Sequence, residues 1–214
     1  MKKMGLFLMG LSMAFMVSAT SFKEGKQYES LKEPVFGDQQ QEVVEFFSFY
    51  CGHCYVFDKE FQVSQKIKEV VPKGAKIEQY HVEFLGRWGK ALSEAWVIAK
   101  ELEVADKIKP LLFEAVQTEK KLETKDAKAV EAIIGEIFAK VGVEKEKYET
   151  VKKGIQVELS LLKQKEMAEK LKVNGVPAVY VDGKYRIKSE GIDTTSKAAY
   201  AKEYAEVVGF LLDN

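Results

Sequence analysis

The pattern of apolar and polar residues changes period three times along the chain. From Glu42 to Phe49 (EVVEFFSF) the residues are β-branched or aromatic and almost continuously apolar. That is the signature of a central strand covered on both faces. A helix is expected from about Cys54 to Val70, ended by Pro72 and Gly74, and a second strand from Ile77 to Val82. Strand, helix, strand is the parallel βαβ unit. Ahead of it, Tyr28-Glu29-Ser30-Leu31 reads as a short edge strand ended by Pro34.

From about Lys90 to Lys172 the period becomes helical. Leu92, Ala95, Trp96, Ala99 and Leu102 form one stripe, and Val130, Ile133, Ile134, Ile137, Phe138 and Val141 a second. Tyr148, Val151, Ile155, Leu159 and Leu162 begin a third, longer helix. All three stripes are expected to face the core, and the Lys/Glu-rich stretch from Glu119 to Lys172 to supply solvated helix faces. Strand character returns at Ala178 to Val181, followed by the hairpin signal Asp182-Gly183 and by Lys184 to Ile187. A last helix is expected from about Thr195 to Leu212, with Tyr200, Tyr204, Val207, Val208 and Leu211 on one side. With β elements at both ends and helices between, the simplest architecture is one α/β domain interrupted by an α-helical insert. Residues 20–83 and 161–214 form the two parts of the α/β domain, and residues 84–160 the insert.

The first 19 residues stand apart. Lys2 and Lys3 precede an apolar run from Met4 to Val17, and Val17-Ser18-Ala19 offers small residues for cleavage. This predicts a secretory signal peptide over residues 1–19, since a membrane span needs roughly 20 apolar residues. No cysteine follows the run, so no lipid anchor is expected. Charge adds little: 33 basic residues balance 33 acidic ones, and losing Lys2 and Lys3 leaves a net charge of about −2. Nothing in that balance predicts nucleic acid as a partner.

Both cysteines lie in Cys51-Gly52-His53-Cys54. A bridge within four residues closes almost no loop, so its value is chemical rather than structural. The strand runs straight into this motif at a helix start, where free N–H groups and the helix dipole stabilise a thiolate, the attacking species in disulfide exchange. Cys51 is then the exposed nucleophile, and Cys54, one turn into the helix, the resolving thiol. His53 can donate a hydrogen bond or charge to the Cys51 sulfur. The competing readings are a structural disulfide and a zinc site. Zinc wants four ligands, and His53 and His81 would have to complete the pair. No metal and no cofactor are expected. Glu45 is the odd residue of the central strand: a buried proton acceptor near Cys54, or an acid at a strand edge paired with a lysine. Val176-Pro177, before the AVYV strand, reads on base rates as an ordinary trans strand-initiating proline.

The segments EFFSFYCGHC, YHVEFLG, NGVPAVYVDGKY and GIDTT resemble the DsbA family, periplasmic dithiol oxidases of Gram-negative bacteria. The similarity runs over the whole mature chain. It implies a thioredoxin fold interrupted by a helical domain, Cys51 as nucleophile, Cys54 as resolving thiol, and a cis Val176-Pro177 bond facing the cysteines and binding substrate. It also implies a periplasmic monomer that donates its disulfide to newly secreted cysteine-containing proteins and is reoxidised by a quinone-linked membrane partner of DsbB type. Two departures stand out. Gly52 replaces the proline of the best-known members, so the motif resembles that of protein disulfide isomerase and the inner dipeptide tunes the couple. Gln79 stands where the family often has a lysine paired with the buried acid. A reductase or isomerase using the same site, or a peptide-binding chaperone, are the other functions to weigh.

Overall fold

A computed structural model describes residues 22–35 and 42–213. The expected signal peptide and its cleavage point lie outside these residues. The described chain forms a five-stranded sheet in the order β1-β5-β4-β2-β3, with β1 Tyr28–Ser30, β2 Glu42–Phe47, β3 Lys76–His81, β4 Ala178–Val181 and β5 Tyr185–Ile187. β2 pairs parallel with β3 and antiparallel with β4. Its six residues are all buried, which is why its sequence is apolar without alternation. Asp182 and Gly183 both adopt positive φ (53° and 60°), the turn that matches the twist of the β4–β5 hairpin.

Two faces of the sheet meet different partners. Val44 and Phe46 pack with Tyr80, Tyr180, Met167 and Leu171. Val43 packs on the other side with Phe57, Ile67 and the last helix, α8 (Lys197–Leu212), through Tyr204, Val207 and Val208. Between β3 and β4 run α3 (Gly89–Glu101), α4 (Ala105–Phe113), α5 (Ala127–Lys140), α6 (Lys145–Lys152) and α7 (Ile155–Lys170). Their core holds Trp96, Ile98, Ile108, Leu112, Phe113 and Phe138, and is continuous with Phe47, Phe49 and Cys54. Helix α7 bridges the expected boundary at residue 160. Val157 joins the helical core and Met167 the sheet core.

Two expected helices differ from their sequence patterns. The helix after the cysteines is α1 (Gly52–Tyr55), a π turn over Val56–Glu60, and then α2 (Val63–Val70), separated at Gln62 with φ 56°. The interruption lets Phe57 meet Tyr204 at 5.1 Å while Ser64, just beyond Gln62, turns to Glu45. The third stripe is also divided, because Gly154 separates α6 from α7. Tyr148 is buried, but Ile155, Leu159 and Leu162 are 60%, 51% and 52% exposed, so this stripe does not face the core as expected. α7 instead buries Val157, Gln164 and Met167, a face the sequence hides because Gln164 is polar.

Candidate active site

β2 delivers the chain to Cys51 through Phe49, whose ring packs on Phe113 (4.9 Å) and on His81 (5.0 Å). Tyr50 lies against Gly86, where an added Cβ would fall 2.2 Å from the Tyr50 ring. At φ 71°, Gly86 also holds a backbone conformation that side chains disfavour. Gln117, from the π turn that follows α4, donates its side-chain N–H to the Phe49 carbonyl at 2.7 Å. These contacts fix the strand exit before the first sulfur.

Cys51 is the N-cap of α1. Its extended backbone (φ −89°, ψ 111°) ends the strand segment, and its sulfur accepts the Cys54 N–H at 3.2 Å. The thiol in turn donates to the Val176 carbonyl at 3.2 Å. The Val176-Pro177 bond is cis, which brings the loop before β4 against the cysteines. Cys51 is half-buried and Cys54 only 2% exposed. Contact with Cys54, opposed by burial and aided by the Cys54 and His53 N–H groups and the His53 charge, lowers the Cys51 pKa to about 6. Burial pushes the Cys54 thiol up, with the Cys51 sulfur and the Glu45 charge acting the same way. One helical turn therefore holds one thiol ready to ionise and one that keeps its proton. His53 is exposed on α1. Gly52, the first helical residue, has open space beside it, with Gln117 Oε1 4.0 Å from a built Cβ.

Glu45 is 3% exposed on β2, which lies between β4 and β3, and the lysine that one of the two readings paired with it is present as Lys109. Three groups satisfy it. Ser64 Oγ and Gln79 Nε2 each donate to Oε2 at 2.8 Å, and Lys109 Nζ stands 3.6 Å from Oε1. Gln79 is the β3 residue directly in register with Glu45, so at this position a neutral amide, not a cation, meets the carboxylate. Lys109, from α4, escaped the sequence reading. Its only signal was a lysine one residue after the apolar Ile108 in a helix otherwise bound for the core. His81 lies elsewhere, in the interior. Its Nε2 accepts the Phe49 N–H at 3.0 Å and its Nδ1 faces Ser93 Oγ at 2.7 Å, while burial lowers its pKa to about 3. Both ring nitrogens are thus engaged in neutral hydrogen bonds, and His81 does not join His53. Among the described residues no group of three or more His, Cys, Asp and Glu could hold a metal. None of their helices is long and apolar enough to cross a membrane.

A family model, the DSBA-like thioredoxin domain, matches residues 42–204. The thiol:disulfide interchange protein DsbA of Yersinia pestis is 45% identical over 212 residues, covering 99% of each chain. That of Pectobacterium carotovorum is 42% identical over 212 residues, with the same coverage. The crystal structure of the disulfide oxidoreductase DsbA from Proteus mirabilis superposes with a TM-score of 0.82 at 38% identity, covering 91% of this chain and 98% of that one. A further structure of that protein, holding a non-covalently bound peptide, PWATCDS, gives 0.83 at 37% identity over 91% and 100%. The fold is thioredoxin-like, with helices set between its β3 and β4. The paired cysteines at the start of α1 are those of a thiol–disulfide oxidoreductase, and the chain belongs to the DsbA family.

Proposed function

We propose that the protein donates its Cys51–Cys54 disulfide to newly secreted cysteine-containing proteins in the periplasm. A substrate thiolate attacks the Cys51 sulfur, the Cys51–Cys54 bond breaks, and Cys54 leaves and takes up a proton. A second substrate thiolate attacks the substrate sulfur of this mixed disulfide. The substrate closes its own disulfide, and Cys51 departs as a thiolate. The observation that carries this reading is the opposed ionisation of the two sulfurs: Cys51 is lowered to about 6 while burial raises Cys54. A stable Cys51 thiolate is a good leaving group, which suits donation of the bridge.

His53 supports the departing Cys51 by charge and through its backbone N–H, and Gly52 tunes how far. Val176 and Pro177 form the substrate edge. An extended peptide pairs with the Val176 backbone by strand addition; the Val176 carbonyl beside the Cys51 sulfur supports this use of the site, and the Proteus mirabilis relative binds a peptide non-covalently. In the return half-reaction the Cys51 thiolate attacks a disulfide of a membrane partner of DsbB type and breaks it; Cys54 then gives its proton to Glu45, its sulfur attacks Cys51, and the partner leaves as thiolate, reduced. Residues 1–19 act as a cleaved export signal, residues 84–160 as the inserted helical domain, and the mature protein as a monomer.

Oxidation of a reduced, unfolded test protein measures the activity. Cys51→Ser and Cys54→Ser should each abolish it, because neither variant can hold the bridge that is donated. Glu45→Gln, which keeps shape and removes charge, should slow the resolving step. A titrated potential in the reducing range of a cytosolic dithiol, or activity surviving Cys51→Ser, would overturn the donor reading.

A further inference from the structure

Lys109 occupies a setting that lysines seldom tolerate. Its side chain is 7% exposed, and it comes from the inserted helical block, not from the sheet that carries Glu45. The ammonium lies 2.6 Å from Asp58 Oδ1, 3.6 Å from Glu45 Oε1 and 4.6 Å above the Phe47 ring. Burial acts to lower its pKa, but Glu45 and Asp58 outweigh burial and raise it, so the group is cationic throughout the working pH range. A buried ion is retained only where its partners are well placed. Here the partners are the acid beneath Cys54 and an acid on the π turn following the redox helix. A polar cleft of about 410 Å³, lined among others by Asp58, Ser64, Gln79 and Lys109, brings solvent to the groups that touch Glu45.

We infer that Lys109 is a positioning residue of the redox site, holding Glu45 charged beneath Cys54 so that this carboxylate can accept the Cys54 proton. The inference rests on the proton-acceptor reading of Glu45 and extends it. It makes the helical block a working part of the redox machinery, because its α4 supplies across the domain boundary the cation that β3 lacks at Gln79. Without that cation, buried Glu45 has no opposite charge beside it, and Asp58, on the wall of the cleft, puts a second negative charge across the Lys109 site. Like charges so placed retain a proton to higher pH. A protonated Glu45 cannot receive the one from Cys54. In the resolving step the Cys54 S–H proton passes to Glu45, Cys54 Sγ bonds to Cys51 Sγ, and the bond from Cys51 to the partner sulfur breaks. The partner leaves as thiolate, reduced, and this protein is left oxidised.

The test is the pH–rate profile of the resolving step, followed from a preformed mixed disulfide with a small-molecule thiol. Lys109→Gln keeps a donor and removes the charge. Its profile should move to higher pH by a unit or more, which lowers the rate about tenfold on the acid limb of the profile. The second change Gln79→Lys should restore the original profile, since position 79 already reaches Glu45 Oε2 at 2.8 Å. Lys109→Gln is also read in an Asp58→Asn background, which leaves Glu45 as the one carboxylate beside position 109 and so protects the fold; removal of the ammonium should still move the midpoint upward there. A profile that stays put in both backgrounds would make Lys109 a structural ion only and overturn the inference. If Glu45→Gln itself leaves rate and profile unchanged, the proton-acceptor reading fails first. If Glu45→Gln slows the step while Lys109→Gln does not shift it, the Lys109 inference fails alone.

Discussion

Reducing the Cys51–Cys54 bridge should stabilise the folded protein increasingly as pH rises. The source is the Cys51 thiol, whose pKa the fold lowers from 9.0 to about 6. A group depressed in the folded state contributes stability above its unfolded pKa and loses it as pH falls through the folded one. Linkage between pKa values of about 9 and about 6 gives almost nothing at pH 5, about 1.4 kcal/mol at pH 7 and about 2.7 kcal/mol at pH 8. Cys51 is half-buried, and halving for solvent screening leaves roughly 0.7 kcal/mol at pH 7 and roughly 1.4 kcal/mol at pH 8. The oxidised protein has no thiol to ionise and lacks this contribution. Its bridge closes a loop of only four residues, a chain-entropy effect of about 2 kcal/mol that does not vary with pH. The diagnostic is therefore the slope. Paired denaturant unfolding of both forms at pH 5, 7 and 8 should show the balance moving toward the reduced form by roughly 1.4 kcal/mol, equivalent to about 30 mV for a two-electron couple. A difference that stays flat, or that moves toward the oxidised form, would refute the stabilised thiolate and with it the donor mechanism.

Four further outcomes are expected. Alkylation of the reduced protein should modify Cys51 with a midpoint near pH 6 and Cys54 only after unfolding; labelling of Cys54 first would exchange their roles. Gly52→Pro should fold, because Cys51 is extended and the first helical position needs no N–H. Its titrated potential should become more oxidising, and an unchanged potential would remove Gly52 from the tuning of the couple. Phe113→Ala should cost about 3–5 kcal/mol of stability and expose Cys54 to alkylation, since Phe113 packs on Phe49 and Tyr55 beside the motif; a loss below about 1 kcal/mol, with Cys54 still protected, would contradict the core that the helical block shares with the motif. Leu159→Ser should change stability by no more than about 0.5 kcal/mol, and a large loss would contradict the exposure of that side chain.

Much of this architecture was legible because period and burial coincide. β2 reads as a central strand since both of its faces are covered, and Asp182-Gly183 reads as a hairpin since only such residues accept two positive φ angles in succession. The helical stripe from Leu92 to Ala99 is buried as its spacing requires. The stripe from Tyr148 to Leu162 misled because helical spacing gives a common face only within one helix. Gly154 divides this one, and the second helix turns other residues inward. The break at Gln62 was invisible for a related reason: local pattern carries no record of the tertiary demand that Phe57 reach α8 while Ser64 reaches Glu45.

The site was legible in its sulfurs and opaque in its charges. Cys51 and Cys54 announce themselves through spacing and through their place at a helix start, both local properties. The environment of Glu45 depends on residues at positions 58, 64, 79 and 109, drawn from a π turn, a helix, a strand and the inserted block. No window of sequence contains them together. Absence of a lysine at Gln79 left two possibilities, an acid without a cation or an acid with a different one, and a buried carboxylate that must stay charged needs one from somewhere. The fold meets that need from the far side of the domain boundary. The same α4 that carries Lys109 also places Leu112 and Phe113 in the core shared with Cys54. Docking of the helical block and the charge state under the resolving thiol are therefore linked, so a substitution that loosens α4 should alter the chemistry of Cys54 along with the stability of the protein.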